Sequence, residues 1–221
     1  MDVRLNGIPR GEVLRYLGLR GAVPEDVSGD LDRLEPVLRE TARPRAVWRR
    51  FALEPDGRLA GTAFRPEGAS VRDLLRNCAG AVLFAATLGS ETDLLLGREQ
   101  RRNMADAAML DALANAAIES VCDQLCLDLA RETSPEMLTP RFSPGYGDFP
   151  LSQQKDFFAV LDIPRRIGVT LTPGGLMVPQ KTVTALMGVS DRPPVSPGSG
   201  CEACRLADRC LYRKEGLSCG K

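Results

Sequence analysis

Apolar positions change their period several times along the chain, and each change marks an element. Glu12 to Leu19 reads as one or two helical turns closed by Gly18 and Gly21. Leu31, Leu34 and Leu38 recur at helical spacing behind Ser28, a residue type whose hydroxyl caps helix N-termini. They predict a helix to about Thr41, with Pro36 either tolerated inside it or marking its first turn. Ala46 to Leu53 and Arg58 to Phe64 flank Glu54-Pro55-Asp56-Gly57, where Pro presets one dihedral and Gly accepts a positive one, so a hairpin is expected. Ala81 to Thr87 is apolar without alternation, the pattern of a central strand. Gly89 ends it, and Ser90 with Asp93 resembles a capping box for the next helix.

From Arg101 to Arg131 there is neither Gly nor Pro, which predicts one long helix. Its Ala108, Ala112, Asn115, Ala116 and Glu119 fall on one side. Ser152 to Leu161 reads as a helix with Phe157, Phe158 and Leu161 as core candidates, ended by Pro164. Ile167 to Thr172 and Thr182 to Val189 read as strands on either side of Pro173-Gly174-Gly175. Helices interspersed with strand pairs, and few long crossovers, imply an α+β domain: a mixed, largely antiparallel sheet with packed helices over residues 1–190. A Pro/Gly linker at 191–200 then leads to a Cys-rich C-terminal tail at 201–221.

Composition narrows the chemistry. The 221 residues, 43% of them hydrophobic, are enough for a proper core. Lys+Arg and Asp+Glu both number 29, so no overall basic field recruits nucleic acid or an anionic membrane. No stretch approaches the roughly 20 apolar residues that span a bilayer, and no signal-type apolar core opens the chain; a cytoplasmic protein is expected. Histidine is absent, which removes the commonest general base and every imidazole-dependent triad.

Arg141-Phe142-Ser143-Pro144-Gly145-Tyr146 joins a planar guanidinium fork, a bare backbone and an aromatic cap, which suits a small amphoteric ligand. On local chemistry alone the favoured reading is that Pro144-Gly145 is only a turn flanked by a surface arginine and a packing tyrosine. Asn115 and Glu119 interrupt a small apolar stripe, so they face a polar cavity, reach a partner from the helix rim, or lie on a partly exposed stripe. Cys201-x2-Cys204-x5-Cys210-x8-Cys219 supplies four thiols that could hold tetrahedral zinc or an iron–sulfur cluster, the alternative being a plain thiol-rich tail. Cys122 and Cys126, an i, i+4 pair, read with Cys78 as small hydrophobes. The C-x3-C-x2-C arrangement of radical adenosylmethionine enzymes is absent, because position 129 is Leu.

In order and spacing, Arg141-x-x-Pro144-Gly145-Tyr146, Leu171-Thr172 and Met177-x-Pro179 resemble the activation domain of cobalamin-dependent methionine synthase. Arg15-Tyr16-Leu17-Gly18, Ala86-Thr87-Leu88-Gly89 and Leu110-Asp111-Ala112 resemble its small stand-alone versions, so the likeness runs from about Leu14 to Ser190. It implies a reactivation subunit, a methyltransferase component that acts only with a corrinoid-bearing partner. The partner would be the cobalamin-binding module of a methionine synthase or another corrinoid protein, with an electron donor such as a flavodoxin-like protein. The resemblance assigns S-adenosylmethionine binding to Arg141, Ser143, Gly145, Tyr146, Glu119 and Asn115, and a corrin-facing surface to Tyr146, Met177 and Pro179. Gly18 and Asn115 stand where fused domains carry acidic residues, with Glu119 one turn later as a substitute. The alternative is therefore a non-catalytic capping module that does not bind S-adenosylmethionine.

Overall fold

In the computed structural model of the chain, which describes residues 3–19 and 23–193, the apolar run from Ala81 lies inside a sheet covered on both faces. The strands in chain order are β1 (Arg45–Ala52), β2 (Gly80–Thr87), β3 (Met137–Leu138), β4 (Thr170–Leu171), β5 (Met177–Val178) and β6 (Thr182–Ser190). Four of them form an antiparallel sheet of order β1-β2-β6-β3, while β4 and β5 make a separate small hairpin. Phe84 of β2 stands between Trp48 of β1 and Ala185 of β6. The helices are α1 (Arg10–Tyr16), α2 (Glu25–Thr41), α3 (Ala69–Leu75), α4 (Ser90–Arg102), α5 (Met104–Thr133), α6 (Gln154–Leu161) and α7 (Ile163–Ile167).

Period-two alternation sends successive strand residues to opposite faces. Val82, Phe84 and Ala86 join Ala185, Met187 and Val189 in a core closed by α1, α2, α4 and α5. Ala81, Leu83, Ala85 and Leu186 face the other way, into an aromatic core closed by α3, α6 and α7. Because both faces are dry, β2 has no polar alternation to show. The Leu31, Leu34 and Leu38 stripe of α2 is buried as its spacing requires.

Local details depart from the sequence reading for identifiable reasons. Ser28 does not cap α2: the helix starts three residues earlier, after Pro24, with Glu25 and Asp26 favouring its positive end. The Ser28 hydroxyl accepts from Arg10 instead. Pro36 lies within α2 on its exposed side, where water serves the carbonyl that loses its partner. The Glu54–Gly57 turn forms, but its second arm is no strand. Only Leu53 and Leu59 bridge, Leu59 and Phe64 turn into the aromatic core, and β1 spends its hydrogen bonds on β2.

The long helix expected from Arg101 to Arg131 forms as α5, but it begins at Met104, because Arg101 and Arg102 end α4. Asn103 adopts φ −150 and its side chain accepts from the N–H groups of Ala105 and Asp106, ending α4 and capping α5. Ser90 and Asp93 form no capping box; Asp93 accepts from the Gln180 N–H at 2.8 Å. Asp162, left-handed at φ 53, ends α6, so Pro164 opens α7 and Ile167 belongs to that helix rather than to a strand.

Candidate ligand-binding site

Residues 137–142 run along the free edge of β6, and Phe142 exchanges two 2.9 Å backbone hydrogen bonds with Leu186. Neighbouring side chains therefore part. Phe142 stacks on Phe149 in the aromatic core, with rings 6.1 Å apart and nearly parallel at 6°. Arg141 reaches the opposite way to α5, where it donates to Glu119 at 2.6 Å and to Asp123 at 2.7 Å. Beyond them the chain turns at Gly145, whose φ of 93 suits glycine and whose N–H donates to the Phe149 carbonyl. Asp148 then fastens the loop to α3 by accepting from the N–H groups of Ala69 and Ser70. Hydrogen bonds from the Ser70 side chain and from both amides hold the Asp148 carboxyl down at about 2.

Two cavities meet at Arg141 and Glu119. The smaller, about 240 Å³, is lined by the carboxylates of Glu12, Glu119 and Asp123 and the guanidiniums of Arg15 and Arg141. Glu12 and Arg15 pair at 2.6 Å, so carboxylates exceed guanidiniums by one around this wall. The larger, about 380 Å³, has apolar sides from Phe142, Leu151, Met177 and Val183 and a polar end at Gln154 and Thr184. Burial works against the Arg141 charge, but Asp123 and Glu119 outweigh it and raise its affinity for the proton. The same burial pushes the Cys122 and Cys126 thiols up, keeping them neutral beside that cation. The arrangement can take a zwitterion at one end and a flat apolar body at the other.

The architecture matches a crystal structure described as the MetH reactivation domain bound to AdoHcy, with a TM-score of 0.61 at 16% identity. The alignment covers 99% of this chain and 85% of that one. This is the fold of a methionine synthase reactivation domain. No protein-family model and no curated protein matches the sequence. The α+β class and largely antiparallel sheet expected from the pattern hold in this fold. Among the described residues no helix is long and apolar enough to cross a membrane.

Within the reactivation-domain fold, Arg141, Ser143, Tyr146, Glu119 and Met177 all line the larger cavity. Gly145 shapes the turn below it, with its amide already committed. Asn115 lies elsewhere, donating to Asp111 and accepting from the Lys181 ammonium at 2.7 Å. Pro179 is buried, and its carbonyl accepts from the Thr182 hydroxyl. Cys201, Cys204, Cys210 and Cys219 lie outside the described residues. Sequence reasoning missed Asp123, Gln154, Thr184 and Glu12 as cavity walls. Asp123 carried a usable signal, since it follows Glu119 by one helical turn; Gln154 carried none.

Proposed function

We propose that this chain binds S-adenosylmethionine across the two joined cavities and serves as the reactivation subunit of a cobalamin-dependent methionine synthase or a related corrinoid methyltransferase. The observation that carries this reading is Arg141, clasped by Glu119 and Asp123 in the wall shared by a charged cavity and a half-apolar one. The ligand's carboxylate would take Arg141 while its ammonium takes the carboxylates so released, and the excess negative charge favours a sulfonium. The adenosyl group would occupy the larger cavity. AdoHcy in the fold neighbour is what remains of such a ligand after methyl transfer.

Methylcobalamin would be restored when cob(II)alamin on the partner gains one electron and the methyl group of S-adenosylmethionine, leaving S-adenosylhomocysteine. The electron would come from a separate donor such as a flavodoxin-like protein, in the cytoplasm. This chain would position the donor methyl rather than do bond chemistry. Tyr146 and Leu151 line the larger cavity and are exposed, as are Leu176 and Val178 on either side of the lining residue Met177, an apolar surface suited to a corrin face.

A capping role without S-adenosylmethionine is the second reading, favoured by the fact that Arg141 already has two carboxylate partners. Titration calorimetry with S-adenosylmethionine separates them. Binding by the parent protein and its loss in Arg141→Ala support the first reading, whereas no detectable binding by the parent favours capping. Spectral conversion of the partner's cob(II)alamin to methylcobalamin, dependent on this chain, tests the activity.

A further inference from the structure

Gln154 opens α6 at the polar end of the larger cavity and is only 3% exposed. Its amide nitrogen donates to Thr184 Oγ1 at 2.7 Å and to Met177 Sδ at 3.1 Å. A thioether sulfur has lone pairs and no proton, so it can face only the NH₂ end of the amide, which sets the side chain's orientation. Both amide protons are thereby used. The carbonyl Oε1 has no donor among the described residues and is not sealed off from the cavity that Gln154 lines. With both amide protons committed, the acceptor end is the part of Gln154 left for a donor group on a ligand. The walls leading to it, Phe142, Leu151, Met177 and Val183, suit a flat heterocycle.

We propose that Gln154 Oε1 reads an amino group on the ligand's ring and makes this site select 6-aminopurines over 6-oxopurines. The proposal rests on the reading that an adenosyl ligand occupies the larger cavity. An exocyclic amine donates to Oε1, whereas an oxo group sets two acceptors against each other. Thr184 and Met177 act as positioning residues that stop the amide from rotating to present its donor end.

The test is calorimetric binding of S-adenosylhomocysteine and its deaminated analogue S-inosylhomocysteine to the full chain, to Gln154→Met and to Gln154→Glu. The parent should prefer the amino compound at least roughly tenfold, about 1.4 kcal/mol. Gln154→Met, similar in size but lacking the acceptor, should bring the two affinities within about threefold by weakening the amino compound alone. Gln154→Glu keeps an acceptor and should keep the preference, so the proposal stays testable if the methionine variant does not fold. An undiminished preference in Gln154→Met, or its loss in Gln154→Glu, overturns the assignment of Gln154 while leaving adenosyl binding intact. Failure of the parent to bind either compound overturns the adenosyl reading itself.

Discussion

The two faces of the sheet are covered in different ways. On one, the long alanine-rich α5 lies against the sheet, with α2 and α4 packed on it by their leucines, and all three share a core with Val82, Phe84 and Ala86. On the other, α3, α6 and α7 are short, and Phe64, Phe149, Phe157 and Phe158 fill the space between them. Small side chains let a long helix approach a strand along its whole length, so the first face is a regular slab. Short helices leave gaps that only aromatic volume closes, and the loops between them become available for a site. The two cavities lie where the faces meet: α5 of the slab supplies Glu119 and Asp123, while the segment after β3 supplies Arg141 to Pro144 and Tyr146.

The sharpest test of that division is a pair of truncations. Phe157→Ala should cost about 3–5 kcal/mol, and Leu113→Ala on the slab about 2–5 kcal/mol, in urea unfolding. Because Phe157 supports Phe149 at 6.1 Å, and Phe149 stacks on Phe142, only the first should also weaken ligand binding. Equal losses of affinity would show that the faces are not separable. A smaller effect is expected at Gly188 in β6, where an added Cβ would lie 2.4 Å from Cys78 Sγ and 3.0 Å from a Leu75 methyl. Gly188→Ala should destabilise by about 1–3 kcal/mol, with partial recovery when Cys78→Ala is added. Lack of recovery would locate the strain in the backbone.

Smaller again, Asn103→Ala removes the cap of α5 and should lower stability by about 1 kcal/mol without changing ligand affinity. Last comes Asp148, which joins the site loop to α3. Its folded-state carboxyl sits at about 2 against an ordinary 3.8, so its contribution is complete above about pH 4 and fades as pH falls towards 2. Asp148→Asn should flatten that part of the acid dependence of the urea midpoint. An unchanged profile would mean that other groups hold the loop.

The slab was more legible than the aromatic face. Leu31, Leu34 and Leu38 follow a period that survives folding, and the run from Ala81 to Thr87 is apolar because both of its sides are buried. The aromatic face misled, since Leu59 and Phe64 carry strand-like residues but answer to a distant Phe157 rather than to a neighbouring strand. Asn103 sets the start of the long α5 with a cap that periodicity does not register. At the site, Arg141, Ser143, Tyr146, Glu119 and Met177 could be gathered from motif order, and the fold brings them to one cavity. The burial of Gln154 depends on Thr184, 30 residues away, and no local pattern announces that contact.

The opposed directions of Arg141 and Phe142 also bear on how the site is made. A slip of one residue against Leu186 would send the guanidinium into the aromatic core and the ring towards Glu119 and Asp123. Neither exchange is tolerable, so a partly assembled cavity has no register in which to persist. Correct edge pairing and a competent pocket arrive together, and the Phe142 amide, bonded to Leu186, is a single reporter of both in hydrogen exchange.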